Sequence, residues 1–168
     1  MAERTLVIIK PDGIQRHLAG IIISRFEGKG FKLVAAKFLQ MTKELAAELY
    51  AEHKDKPFYE GLNNFILSSP CLLMVWEADG VVEMVRKMVG ATFSREAEPG
   101  TIRGDFGSSQ RFNLVHGSDS IESAKREIGI FFRDDEIVNY ELTNSHWLFG
   151  TGTLQQSAKP KRFHYMDE

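Results

Sequence analysis

Thr5-Leu6-Val7-Ile8-Ile9 runs directly into Lys10-Pro11-Asp12-Gly13. The first five residues form a continuous apolar run of strand length, which predicts a central strand buried on both faces. The proline and glycine then end it in a turn. Moving outward, Leu18, Ile21, Ile22, Arg25 and Phe26 recur at helical spacing, with Gly28 or Gly30 as the stop. Phe31 to Leu39 reads as a second strand. Thr42 caps a helix carrying Leu45, Leu49 and Tyr50, and Phe58, Leu62, Phe65 and Ile66 mark another. Cys71 to Trp76 is a third strand, and Val82, Val85, Met88 and Val89 a helix stopped at Gly90. Asn113 to His116 is a fourth strand with a helix behind it, and a helical end follows around Asp134 to Tyr140. The order β-α-β-β-α-β predicts an α/β (α+β) chain with a ferredoxin-like sandwich. Its four-stranded antiparallel sheet carries helices on one face and further helices at the edges.

The 168 residues suit one domain, with 43% hydrophobic and 26% charged side chains as in a globular protein. A net charge of −2 speaks against bulk binding to nucleic acid or to a membrane surface. No apolar run approaches the ~20 residues that cross a bilayer. The run Leu6 to Ile9 is too short for a signal peptide. Cys71 is the single cysteine and lies inside an apolar run, which fits a reducing compartment. A cytoplasmic location is therefore expected. From Gly150 the composition shifts to glycine, glutamine and lysine. The chain accordingly divides into a domain at residues 1–149 and a C-terminal extension at 150–168, expected to be mobile.

The stretch Asn113-Leu114-Val115-His116-Gly117-Ser118-Asp119-Ser120 brings a histidine to the mouth of a helix. Asp119 with Glu122 reads as a capping box, so the helix begins near Ser120. Ser120, Ser123 and Glu127 share one stripe of that helix, facing back toward the turn. His116, with Ser118 and Glu127 in reach, is a candidate nucleophile or proton shuttle beside backbone N–H groups that can receive an anion. A partly buried histidine held by a cap is the plainer reading of this stretch alone.

Lys10 stands one residue past a buried strand, and Arg86 at the edge of an apolar helix face. Arg103 stands in the glycine-rich stretch Pro99-Gly100-Thr101-Ile102-Arg103-Gly104-Asp105-Phe106. Singly, each reads as a surface cation. Together they offer a point charge and two planar forks, a set suited to a polyphosphate. Thr92 and Thr101 add hydroxyls that serve either a ligand or a turn. Residues 91–112 show no sustained period, which in a compact domain points to a functional loop. Asp105-Phe106-Gly107 spells the protein-kinase magnesium motif, but without the glycine-rich loop before it or the catalytic HRD that accompanies it. Gly150-Thr151-Gly152-Thr153 lacks the lysine of a phosphate-binding P-loop. No Cys/His spacing fits zinc.

Three motifs, Ile9-Lys10-Pro11-Asp12-Gly13, Pro99 to Phe106 and Asn113 to Asp119, resemble those of nucleoside diphosphate kinases in order and spacing. The resemblance runs from about Arg4 to Phe149. It implies a ferredoxin-like αβ sandwich and transfer of the γ-phosphoryl group of a nucleoside triphosphate to a nucleoside diphosphate. It further implies a ping-pong mechanism through a phosphohistidine, Mg²⁺ bound with the nucleotide, and a homo-oligomer, hexamer favoured over tetramer. By the same resemblance His116 is the phosphorylated residue, with Glu127 and Ser118 fixing its imidazole. Arg86, Thr92 and Arg103 hold phosphates, helped by Tyr50 and His53. Lys10 and Asn113 take the sugar hydroxyls, Lys10 also lying near the transferred group. Phe58 stacks on the base above Leu62, and Asp119 lies near Mg²⁺ through water.

The chain departs from the family pattern at Phe93-Ser94, where Asn-Pro is usual, and at Arg111-Phe112, where Gly-Arg is usual. His17 stands where a glycine is common. These departures fall on the rim of the nucleotide pocket and on the loop, away from the chemistry. An RNA-recognition module shares the β-α-β-β-α-β order, but its aromatic-and-basic run is missing here, and no specific nucleic-acid partner is expected. A catalytically silent scaffold is opposed by the intact set Lys10, Arg86, Arg103, His116 and Glu127.

Overall fold

The sheet runs in the order β2–β3–β1–β4 and every neighbouring pair is antiparallel. Its strands are β1 (Glu3–Ile9), β2 (Lys32–Leu39), β3 (Cys71–Ala78) and β4 (Val115–Gly117). The computed structural model describes residues 2–109, 111–144 and 147–148. The expected extension from Gly150 therefore lies outside the described residues.

β1 is inside the sheet because it has apolar residues at successive positions and so needs cover on both faces. It pairs with β3 from Glu3↔Ala78 to Ile9↔Leu72, and with β4 from Val7↔Gly117 to Ile9↔Val115. Alternation along the strands divides the core in two. Val7, Ile9, Met74 and Trp76 pack against α2 (Ala19–Gly28) and α5 (Val81–Val89), chiefly on Ile22, Phe26, Val85 and Val89. Leu6, Ile8, Leu73 and Val75 pack against α3 (Lys43–Leu49), α4 (Tyr59–Ile66) and α7 (Ile121–Phe131). Helices thus cover both faces, which corrects the one-face expectation. The four-stranded ferredoxin-like sandwich itself stands.

The predicted turn after Ile9 is a short helix, α1 (Pro11–Gln15), which begins on a proline whose fixed φ suits a first helical position. Gly13 lets α1 lie against the sheet, since a Cβ there would come within 2.7 Å of Ile9 Cγ2. His17 follows with φ 56°, a left-handed conformation that favours glycine. β4 starts at Val115, two residues later than predicted, because buried Leu114 has φ 67° and cannot extend a strand. The cap of α7 is Ser120, whose Oγ accepts from Ser123 N at 3.0 Å, so Asp119 is not the cap. The helical end predicted at 134–140 is a single 3-10 turn, Asp134–Glu136. Beyond it the chain follows β2 instead: Val138 N donates to Val34 O, the carbonyl freed where the β2–β3 register shifts between Leu33 and Ala35. Within the aperiodic stretch, α6 (Ile102–Phe106) is capped by Thr101, whose Oγ1 accepts from Gly104 N.

Candidate active site

β4 places His116 opposite Ile8 on the central strand, with the imidazole half-buried. Its Nε2 lies 2.8 Å from Glu127 Oε2. Glu127 projects from α7, is buried, and also accepts from Ser118 Oγ at 2.7 Å. The Ser118 oxygen accepts in turn from Leu6 N at 3.2 Å, so the group is anchored to β1. Burial by itself raises the Glu127 pKa. The hydrogen bond and charge of His116 and the bond from Ser118 outweigh it, and the carboxyl titrates below its ordinary value. A carboxylate at Nε2 assigns the neutral ring its proton there and leaves the lone pair on Nδ1.

A second group forms where α1, β4 and the loop at 91–112 meet. Lys10 is buried, and its Nζ donates to Asn113 Oδ1 at 2.8 Å. Asn113 Nδ2 donates to Thr92 O at 3.0 Å. Arg103 is 3% exposed. Its Nε donates to Asn113 O, its Nη1 to Gly90 O and Ala91 O, and its Nη2 to Val115 O, at 2.6–3.2 Å. Two open forks were the expectation from sequence, and this one is largely closed. All but one of its N–H donors go to backbone carbonyls, so what it presents outward is chiefly charge. Arg86 is the more open fork, with Nη1 3.5 Å from Gly117 O. Burial, then the neighbouring Arg86, lowers the Arg103 pKa to about 10. Burial, then Arg103, lowers that of Lys10 to about 8. Crowded, desolvated cations of this kind are stabilised in their charged form by an anion set among them.

The turn between α3 and α4 contributes a row of rings. Tyr50 and His53 have centroids 6.4 Å apart, and His53 and Phe58 5.6 Å. Tyr50 is buried at one end, while Phe58 is exposed at the other and free to offer a flat face. Burial, with the charges of Cys71 and Glu127, pushes the Tyr50 phenol above its ordinary range. Leu62 is half-buried behind the row, against the second half of the core. Thr92 is exposed, and its carbonyl holds Asn113. Asp119 is exposed too, and bonds to Ser123 and Ser120 with the charge of Arg86 depress its pKa.

Residues that sequence reasoning passed over hold these groups in place. Asp12 Oδ2 accepts from Leu114 N at 3.1 Å and so stabilises the left-handed leucine before His116. Arg25 clamps α6 and its approach, bonding Asp105 and Gly100 O and lying 4.7 Å from the Phe106 ring centroid. Arg16 Nη1 donates to Phe106 O at 2.7 Å. Asp12 was visible only as a turn residue. Arg25 was visible as a cation on an apolar helical stripe, which is the signal that marks it.

Among the described residues no three His, Cys, Asp or Glu side chains converge as a metal cage. Lone, exposed Asp119 suits an ion that keeps its waters and is carried in by phosphate oxygens, the usual habit of Mg²⁺. No helix among the described residues is long and apolar enough to cross a membrane.

The family model described as nucleoside diphosphate kinase matches residues 3–137. A nucleoside diphosphate kinase of Bacillus thuringiensis subsp. konkukian is 52% identical over 147 residues, covering 88% of this chain and 99% of that protein. One from Crocosphaera subtropica is 55% identical over the same shares. The solved structure of a halophilic nucleoside diphosphate kinase from Halobacterium salinarum in complex with CDP superposes with a TM-score of 0.87 at 49% identity, covering 89% of this chain and 99% of that one.

Proposed function

The chain belongs to the nucleoside diphosphate kinase family, enzymes that transfer phosphate between nucleotides, and from that premise we propose a ping-pong reaction through a phosphohistidine on His116. The observation that carries this reading is the 2.8 Å contact between His116 Nε2 and Glu127. It orients the ring and makes Nδ1 the attacking atom. Nδ1 forms a bond to the γ-phosphorus of a nucleoside triphosphate, the bond to the bridging oxygen breaks, and the diphosphate leaves with that electron pair. The phosphorylated ring keeps its proton on Nε2, where the Glu127 carboxylate balances the charge. A second nucleoside diphosphate then takes the phosphoryl group by the reverse path.

Such a transfer asks a protein mainly for alignment and charge. Arg86, Arg103 and Thr92 are assigned to the phosphates, with Tyr50 and His53 beside them. Lys10 and Asn113 are assigned to the sugar hydroxyls, Lys10 also reaching toward the moving phosphoryl group. Phe58 stacks on the base, backed by Leu62. When bound, Mg²⁺ neutralises phosphate oxygens, with Asp119 near it through water. The catalytic unit is residues 1–149, the extension 150–168 lies outside the chemistry, and the enzyme works as a cytoplasmic homo-oligomer, a hexamer in preference to a tetramer.

The test is to expose the chain alone to ATP labelled on the γ-phosphate. The expected product is a labelled enzyme whose label is lost in acid and kept in alkali, as for a phosphoramidate. An acid-stable label on Ser118 or Ser120, or normal turnover in His116→Ala, would refute the mechanism. Acceptance of bases is expected to be broad, because every base has a face to stack, and acceptance of sugars stricter. ATP, GTP, CTP and UTP compared with a 3′-deoxy triphosphate check this. Choice of one base with indifference to the missing hydroxyl would contradict it.

A further inference from the structure

Phe112 precedes Asn113 in sequence, yet its ring meets Phe65 on α4, with centroids 4.9 Å apart and planes inclined at 40°. Leu62 lies one helical turn before Phe65, and Phe58 is the residue at the helix's N-cap. The ring pair therefore joins the helix assigned to the base to the segment assigned to the sugar. It does not sit in the core. Phe112 is 48% exposed, and the two rings border a cavity of about 430 Å³ whose other walls include Pro11, Asp12, Gln15, Ser68 and Ser69. Rings that stand over a hollow add little to core packing, so their contact matters through what it connects. On the near side Asn113 is fixed by Lys10 and by Thr92 O, and Leu114 N by Asp12. These bonds tie the segment to α1, β1 and the loop, and the aromatic contact ties it to α4.

We infer that Phe65 and Phe112 form a clasp across the nucleoside cleft, positioning residues that fix the separation of α4 from Asn113 and so set nucleoside affinity. The clasp rests on the reading of the site given above and takes no part in the phosphoryl transfer. An aromatic pair of this kind is worth a factor of about three to ten in an equilibrium constant. Removing either ring abolishes the one contact, so the losses of the two truncations are expected not to add.

The experiment is the half-reaction of the full chain with labelled ATP, followed by rapid quench over a series of ATP concentrations. Phe112→Ala and Phe65→Ala should each raise the apparent dissociation constant about three- to tenfold and leave the maximal phosphorylation rate within about twofold. The double variant should be no worse than either single one. Phe112→Leu, which keeps most of the volume, should recover part of the loss and serves where alanine disturbs the fold. An unchanged constant, additive losses, or a lower maximal rate at unchanged affinity would each overturn the clasp. Absence of any labelling in the unaltered chain would instead refute the phosphohistidine reading. Calorimetric binding of ADP to the same variants then decides the clasp independently.

Discussion

The His116 centre and the loop at 91–112 meet at β4 and are built in opposite ways. The first is assembled from regular elements: the Leu6 N–H of β1 donates to Ser118 Oγ, Ser118 Oγ donates to Glu127 of α7, and Glu127 meets His116 of β4, each step within 3.2 Å. The second has two short helical turns and is held by side chains that bond backbone: Arg103 to four carbonyls, Asn113 to Thr92 O, Arg25 to Gly100 O. As the proposed nucleophile, His116 has to be aimed at one atom, and rigid elements do that well. A surface that receives a charged ligand tolerates a loop, provided the loop is stapled. The contrast is one between aiming and cradling.

The comparison breaks most severely at the aimed end. His116→Ala should lower phosphotransfer by more than about a thousandfold and remove enzyme labelling, with little change in thermal midpoint, since the imidazole is half-buried at the end of the sheet. Glu127→Gln keeps the nucleophile and loses alignment and charge, so its loss should be about ten- to a hundredfold in the maximal rate of the half-reaction. Equal losses in the two variants would mean that Glu127 does more than orient.

Lys10 sharpens the cradle side through pH. Its folded pKa of about 8 lies below the ordinary 10.5. Between those values the unfolded chain binds a proton that the folded chain has released, so stability rises with pH there. Affinity for a polyanion moves the other way, because the charge that attracts it is lost. kcat/KM should therefore fall about tenfold from pH 7 to pH 9, while denaturant midpoints hold or rise. In Lys10→Met the activity should be low throughout and this alkaline limb gone. A limb that persists in that variant would assign it to another group.

Arg25→Ala should release the staple on α6 and raise amide exchange across residues 98–107. Arg103 stays locked to its carbonyls, so kcat/KM should drop only about three- to tenfold. Exchange confined to its old rate would show that Arg16 and Arg103 suffice to hold the loop. The smallest effect is expected from truncation after Phe149, with turnover within a few-fold of the full chain. In sequence the extension turns to glycine, glutamine and lysine, and no assigned residue lies beyond Glu127. A large loss in truncated, still-oligomeric protein would mean that the extension reaches the cleft.

Much of the fold could be read along the chain because burial imposes a period. Thr5 to Ile9 declared a strand covered on both faces, and Val82, Val85 and Val89 a one-sided helix. The same logic shows where reading fails. α1 has only five residues, begins on Pro11 and contains Gly13, so nothing distinguishes it from a turn until Ile9 and Leu114 are seen to leave no room for a Cβ. At 134–140 the deciding partner is the free carbonyl of Val34, about a hundred positions away. Lys10 and Arg103, legible as cations, do lie together, both bonded to Asn113, and His116 follows Asn113 by three positions. What could not be foreseen is that four backbone oxygens converge on the Arg103 guanidinium, because carbonyls carry no sequence signature. Asp12 was hidden by the same rule, since its partner is the backbone N–H of Leu114.

The Arg103 clamp also has a bearing on how the chain reaches this state. Its guanidinium comes from the middle of the loop and binds Gly90 and Ala91 before it and Asn113 and Val115 after it. Those two ends become neighbours only once α5 and β4 have docked on β1. Burying the arginine any earlier would strip its charge of water with too few acceptors in place, a cost that holds the step back. The loop is therefore expected to close after the sheet has formed, which amide exchange followed during refolding would check. On the proposed reading, the groups that cradle the phosphates would then be assembled last, on a sheet that already carries His116.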